Sequence, residues 1–213
     1  MDFEKLVNSK INVFADWVIR LVMINLMVIV SSLLIITIYP ALSAGYNLFH
    51  DYVNGKNPKL FKGYFKYFKE GFKQKIIIGI IIGISILIGF LNVRYYSTVL
   101  ETTSSAFYLI GYYVTLALLA ALYAGSFYSI VVFRVSPNLK IKTIIKVSFV
   151  LAGKFYFRTL LLVIVNTSVI FLLIYPPTAM IFIFAGVSIV LVLDVLITTD
   201  VIHYLVNLGE DNA

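Results

Sequence analysis

The sequence predicts an all-α fold, a polytopic bundle of transmembrane helices with about five spans. Of the 213 residues, 61% are hydrophobic and only 13% are charged, whereas soluble domains carry roughly a quarter charged residues. A chain of this size leaves much of its surface exposed, so the surplus apolar surface needs a second apolar phase. Lipid provides that phase.

Five apolar stretches approach or exceed the about 20 helical residues that cross a bilayer. We interpret them as the spans of a single transmembrane domain over residues 1–213, at positions 17–38, 76–93, 107–133, 159–175 and 178–198. Pro40 follows the first stretch and is expected to kink or end the first helix.

The positive charges predict an orientation in the membrane. Lys and Arg concentrate in the connection between the first two spans and in that between the third and fourth, and such short basic connections stay in the cytoplasm. Residues 94–106 and the Tyr175-Pro176-Pro177 turn carry little or no charge and are expected outside. An odd number of spans then places the N-terminus outside and the C-terminus in the cytoplasm.

Each basic connection is predicted to contain an interfacial amphipathic helix, at residues 60–74 and 139–153. In the first, helical spacing places aromatic rings on one face (Phe61, Tyr64, Phe65, Phe68, Phe72) and lysines on another (Lys62, Lys66, Lys69, Lys73). Such a helix lies in the headgroup plane with its rings buried. The alternative is a plain loop that only sets topology.

The net charge of +7 is distributed between apolar runs, not gathered in one arm. This distribution favours anionic lipid headgroups as a partner and argues against nucleic acid. The lysines of the first basic helix are therefore candidates for contacts with lipid headgroups or with a partner protein.

A tandem repeat of one hairpin is a further hypothesis. Ala41-Leu42-Ser43-Ala44-Gly45 resembles Ala121-Leu122-Tyr123-Ala124-Gly125, and each is followed by a proline, a basic segment, a lysine and the next span. The prolines are Pro58 and Pro137, and the lysines are Lys75 and Lys154. Two such copies would share their orientation and could enclose a cavity between them; chance similarity is the alternative.

Four polar residues lie inside or at the ends of predicted spans: Asp194, Asn25, Asn92 and Asn166. An intramembrane carboxylate needs a partner or a purpose, so Asp194 is expected to form an ion pair, to bind an ion or substrate, or to reach water. Its possible partners are Arg134, Lys154 and Arg158. The three asparagines are expected to bond across helices or to line a cavity.

Small residues in two spans predict close approach between helices. Gly79 and Gly83 form a GxxxG pattern, and Ala117, Ala121 and Gly125 form a ridge one turn apart. Packing within the chain is the simpler interpretation, and a homodimer interface is the alternative.

Nothing in the sequence indicates catalysis, a metal or a cofactor. Cysteine is absent, the only histidines are His50 and His203, and no phosphate-binding loop, nucleophile elbow or paired carboxylates can be identified. We expect no enzyme activity.

The first 75 or so residues resemble a known family. The similarity rests on Asp16-Trp17, Asn25-Leu26, the run from Thr37 to Tyr46, Gly55, and the spacing of Phe65, Phe68-Lys69 and Phe72-Lys73. Together they resemble the YesL-like family of small bacterial integral membrane proteins, which are built on a domain of unknown function.

The resemblance implies a bacterial plasma membrane protein linked to carbohydrate uptake, and it implies no catalytic or ligand-binding residues. We therefore expect a non-catalytic accessory or regulatory component that contacts transporter subunits through its basic helices. The alternative is a small transporter or channel with a path between the two hairpins.

Overall fold

The computed structural model describes residues 3–103, 105–174, 180 and 182–210, and within these ranges the chain is helical with no β-strand. The all-α prediction is therefore confirmed. The helices are α1 (Phe3–Ser31), α2 (Ile38–Val53), α3 (Leu60–Lys69), α4 (Phe72–Thr102), α5 (Ala106–Val135), α6 (Ile141–Lys154), α7 (Tyr156–Ile174) and α8 (Val187–Glu210). A 3-10 turn (Ile35–Thr37) precedes α2, and a π-helical segment (Phe182–Gly186) precedes α8.

Four helical segments are long and apolar enough to cross a membrane: Lys10–Ser31, Phe72–Thr102, Ala106–Val135 and Phe182–Leu208. The number rises to five if Ile141–Lys154 and Tyr156–Val169, which meet at 102°, form one broken span. The architecture is thus that of a multi-pass membrane protein. The predicted turn at residues 175–177 lies outside the described residues.

The end of the first predicted span was wrong. The helix stops at Ser31, before residue 38, and a second helix that was not predicted begins at Ile38. The Thr37 hydroxyl donates to the carbonyls of Ser31 and Leu34, at 2.5 and 2.7 Å, and so competes with continuation of the helix. Pro40 does not end α1; it lies in the first turn of α2, where a missing N–H costs little.

The helix predicted over residues 60–74 is also shorter than expected. α3 ends at Lys69, and Gly71 then adopts a left-handed conformation, with φ of 59°, before α4 begins at Phe72. A side chain at Gly71 would collide with the Phe133 ring, so glycine meets both a backbone and a packing requirement. The second basic helix, α6, lies close to the predicted residues 139–153.

The contacts divide the chain into two compact units, a division that was not predicted. The first unit comprises Met1–Glu70 and Val165–Leu196, and the second comprises Gly71–Ile164 and Ile197–Ala213. In the first unit α1 packs on α2, on the π-helical segment and on α3, and α2 packs on α3. In the second unit α5 packs on both α4 and α6.

The two copies of the suspected repeat differ in their helices. The first pentapeptide lies in the short helix α2, whereas the second lies inside the continuous helix α5. In both copies a basic helix follows the proline, and the terminal lysine lies near an aromatic ring. The Lys75 Nζ is 4.9 Å from the Phe133 ring centroid, and the Lys154 Nζ is 3.6 Å from that of Tyr204.

We expect Gly71→Ala to destabilise the protein more than Gly55→Ala. Both glycines have positive φ, which costs about 1–2 kcal/mol for an L side chain, but only the methyl group at position 71 meets another side chain. Overpacking adds about 1–3 kcal/mol. Thermal unfolding of the purified variants in detergent measures the difference, and equal midpoints would contradict this account of Gly71.

Candidate functional site

A polar cluster lies where α1, the end of α2 and the α2–α3 connection meet. The Arg20 guanidinium donates to Asn57 Oδ1 at 3.0 Å, pairs with Asp16 at 2.5 Å, and lies 4.2 Å from the Tyr52 ring centroid. The Tyr52 hydroxyl in turn donates to the Pro58 carbonyl at 3.1 Å. Burial raises the pKa of Tyr52, and the nearby Arg20 charge partly offsets that effect.

Asp51 extends this cluster into the protein interior. Its carboxylate is buried, accepts a hydrogen bond from the Tyr67 hydroxyl and lies 3.9 Å from the Lys56 Nζ. A buried carboxylate needs such partners to compensate for lost hydration. The Asp51–Tyr67 bond therefore joins α3 firmly to α2.

Gly63 and Tyr64 form the rest of the anchored face of α3. The buried Tyr64 hydroxyl donates to the Met27 carbonyl at 3.3 Å, and this burial raises the pKa of Tyr64 to about 12. Gly63 lies so close to α2 that an added Cβ would be 2.8 Å from Leu48 Cδ1. With Tyr67, these residues hold α3 against the rest of the first unit.

The opposite side of α3 is open. We define the α3 surface as the exposed residues Phe61, Lys62, Phe65, Lys66 and Lys69. Lys73 is also exposed but belongs to α4, after the break at Gly71. The sequence pattern placed Tyr64 with Phe61 and Phe65 on one lipid-facing side, and the structure separates them because Tyr64 packs on protein while both phenylalanines stay exposed.

Asn25, in the first predicted span, forms hydrogen bonds with three backbone groups. Its fully buried amide donates to the carbonyls of Phe182 and Ile183, at 3.1 and 2.6 Å, and accepts from the Ser188 N–H at 3.0 Å. The wide turn of a π-helix disturbs the regular backbone bonding, and Asn25 supplies partners at that point. It thus fastens α1 to the start of the last helix.

The other polar candidates have different surroundings. Asn166 donates to Asp194 Oδ1 at 2.8 Å, so these two residues come together in the first unit. Two of the possible partners of Asp194 make other contacts, because Arg158 pairs with Asp200 and the Lys154 ammonium lies over the Tyr204 ring. Asn92 is exposed and donates to the Ile88 carbonyl of its own helix, at 3.0 Å, so its expected bond across helices is not the one formed.

The small residues pack at fewer points than expected. Gly125 is buried, and an added Cβ would lie 3.3 Å from the Phe149 ring. Gly83, by contrast, has open space around it, Ala117 and Ala121 are exposed, and Gly79 is half-buried. Close approach between α4 and α5 occurs instead at Gly89, against Leu119.

A small cavity of about 30 Å³ lies within the second unit, with serines from α4, α5 and α6 among its lining residues. Three of these hydroxyls bond to carbonyls of their own helices, at 2.6–2.7 Å, namely those of Ser126, Ser129 and Ser148. The serines therefore contribute mainly apolar surface to the cavity. Among the described residues, no group of three or more His, Asp or Glu could hold a metal ion.

Residues 21–93 match a family model described as "Protein of unknown function, DUF624", which is the YesL-like family. The matched region includes most of α1, all of α2 and α3, and most of α4. No curated protein and no solved structure shows a significant match to the chain. The resemblance seen in the sequence is thus confirmed at the level of the family model, over these residues.

Sequence reasoning missed Arg20, Asp51, Tyr52 and Tyr67 as one cluster. A signal was present in the sequence, because polar residues recur every four positions at Ser43, Asn47 and Asp51. Such spacing indicates one polar face of a helix. Reading residues 38–53 as the end of a span and a loop concealed that face.

We expect Asn25→Leu to destabilise the protein by about 2–6 kcal/mol, because three backbone groups lose their partner and each intramembrane hydrogen bond is worth roughly 0.6–2 kcal/mol. Asn92→Leu is the matched control, since Asn92 is exposed and bonds only within its own helix. Unfolding in detergent micelles compares the two. Similar losses would show that the bonds of Asn25 are not what stabilises this region.

Proposed function

We propose that this protein is a non-catalytic accessory or regulatory component of a bacterial plasma membrane system for carbohydrate uptake. In this proposal the α3 surface faces the cytoplasm and contacts an acidic surface of a transporter subunit. The link to carbohydrate uptake comes from the YesL-like resemblance, which residues 21–93 support. The observation that supports the docking role is that one side of α3 packs against the protein while the opposite side is exposed.

One side of α3 is fixed and the other is free to bind. Gly63, Tyr64 and Tyr67 hold the helix in place, while three lysines and two phenylalanines remain exposed. A pre-formed surface loses little conformational freedom on binding. Exposed rings beside lysines suit an interface with an apolar centre and a complementary charged rim.

We expect replacement of Lys62, Lys66 and Lys69 by glutamine to reduce partner binding. Three rim charges contribute about 1–3 kcal/mol together, which is about fivefold to 150-fold in affinity. The matched control replaces three exposed lysines of the second basic segment, namely Lys142 and Lys146 of α6 and Lys140 directly before it. Tagged protein is purified from native bacterial membranes under mild solubilisation, and carbohydrate-transporter subunits are quantified by mass spectrometry.

Loss of the transporter subunits in the α3 variant, with retention in the α6 variant, supports the proposal. If the unmodified protein recovers no transporter subunit, the accessory function is wrong. If both variants recover the subunits as the unmodified protein does, the α3 surface is not the docking site. Copurification of anionic phospholipid with the detergent-solubilised unmodified protein, lost in the α3 variant, would assign the surface to lipid headgroups.

A second function, a small transporter or channel, is favoured by two buried oxygens of α2. Ser43 and Asn47 are one turn apart and 0% and 2% exposed, and neither Ser43 Oγ nor Asn47 Oδ1 has a hydrogen-bond partner in the described structure. An unpaired buried polar atom costs roughly 1–3 kcal/mol. A permeating water, hydroxyl group or cation could supply the missing partner.

If the transporter function is correct, Asn47→Leu and Asp194→Asn should each lower flux through proteoliposomes at least about tenfold, the effect of about 1.4 kcal/mol. Asn92→Leu should leave flux unchanged, because that side chain lies on the exposed side of α4. Flux of labelled sugars and of monovalent cations is measured against empty vesicles. Absence of flux above the empty-vesicle level for every solute would rule out this function.

A further inference from the structure

The contacts between α1 and α2 show that these helices run in opposite directions. At one end, the Arg20 side chain contacts Tyr52 and Asn57. Midway, an added Cβ on Gly45 would lie 3.0 Å from Val28 Cγ2. At the other end, the Thr37 hydroxyl donates to the Ser31 carbonyl. Residues 20–53 therefore form a helical hairpin, here called the α1–α2 hairpin.

We infer that the α1–α2 hairpin is re-entrant. It enters and leaves the bilayer on the side that carries the lysines of α3, here called the basic side, and its tip contacts lipid acyl chains. The tip consists of Leu33, Leu34, Ile35 and Ile36. All four side chains are exposed, from 53% at Ile36 to 83% at Ile35. An uncharged, exposed, apolar tip of this kind is suited to hydrocarbon and unsuited to water.

The length of α2 limits how far the hairpin reaches. Its 16 residues span about 24 Å at 1.5 Å per residue, whereas the hydrocarbon core is about 30 Å thick. The hairpin therefore ends short of the opposite interface.

Irregular backbone inside hydrocarbon needs internal partners. The turn provides several, because Ser32 N–H bonds to the Val28 carbonyl and Thr37 N–H to the Leu34 carbonyl, in addition to the bonds of the Thr37 hydroxyl.

The charged cluster fixes the open end of the hairpin at the membrane surface. If Lys10–Ser31 crossed the bilayer as a complete span, Arg20 would lie about 15 Å along it, near the bilayer centre. Asn57 and Tyr52 would be at the same depth, close to Lys56 and Asp51. Each central charge costs about 2.5–3.5 kcal/mol even on insertion scales. Placing the cluster among headgroups removes that cost.

The part of α1 before Arg20 then lies on the basic side. Ile11 and Phe14, 57% and 71% exposed, give it an apolar face at helical spacing. An inclined helix can rest such a face on the boundary between headgroups and acyl chains. This arrangement differs from the outside N-terminus expected from counting five spans, because the hairpin adds two helices without changing sides.

The absence of cysteine in the sequence makes the inference directly testable, since each introduced thiol is unique. Single variants are made at exposed positions in the full chain: Lys10→Cys, Ile35→Cys, Lys59→Cys and Thr103→Cys. A membrane-impermeant maleimide is applied to intact spheroplasts and to inside-out vesicles. Labelling in denaturing detergent confirms that each thiol is present and reactive.

Lys10→Cys and Lys59→Cys should label from the same side, Thr103→Cys from the opposite side, and Ile35→Cys from neither until the membrane is dissolved. Labelling of Lys10→Cys together with Thr103→Cys would overturn the hairpin. Labelling of Ile35→Cys from the Thr103 side would show that the hairpin crosses the bilayer completely. Labelling of Ile35→Cys from the Lys59 side would show that the tip does not lie in the hydrocarbon.

Discussion

The rest of the first unit depends on how α1 ends. A helix terminus leaves backbone carbonyls without partners, and in an apolar environment water cannot supply them. Thr37 binds the carbonyls of Ser31 and Leu34, so the chain can reverse direction within a few residues. That reversal places α2 against α1 and makes α2 the central, largely buried helix of the unit.

Once α2 is central, its polar residues determine what packs around it. Asp51 requires a hydrogen-bond donor, and Tyr67 of α3 provides one. Arg20 of α1 is held by Asp16, Asn57 and the Tyr52 ring, so both ends of the α2–α3 connection are fastened to α1. Asn25, deeper in α1, binds the π-helical segment. The orientation of α3, and therefore of its exposed lysines, follows from the Asp51–Tyr67 bond to α2 and from the contacts of Arg20 with Tyr52 and Asn57.

The sequence predicted α4 and α5 well and missed α2, for a physical reason. α4 and α5 contain continuous apolar runs longer than the bilayer requires, so composition alone locates them. α2 mixes Pro40, Ser43, Asn47 and Asp51 with apolar residues, and only its tertiary partners make it a buried helix. For α3, helical spacing identified the aromatic and basic residues, but it could not tell that Tyr64 and Tyr67 face protein whereas Phe61 and Phe65 stay exposed. The partners of Asn25 lie more than 150 residues away and leave no local pattern.

The region that matches the family model contains most of the elements that carry these inferences, although Arg20 directly precedes it. Residues 21–93 contain the tip of the hairpin, α2, the anchored and exposed sides of α3, and most of α4. Asp194 and Asn166 lie outside the matched region. An activity based on Asp194 would therefore depend on a part of the chain that the family model does not describe. A docking role for α3 depends only on residues within it, since Gly63, Tyr64 and Tyr67 hold the helix against α2 while its lysines remain exposed.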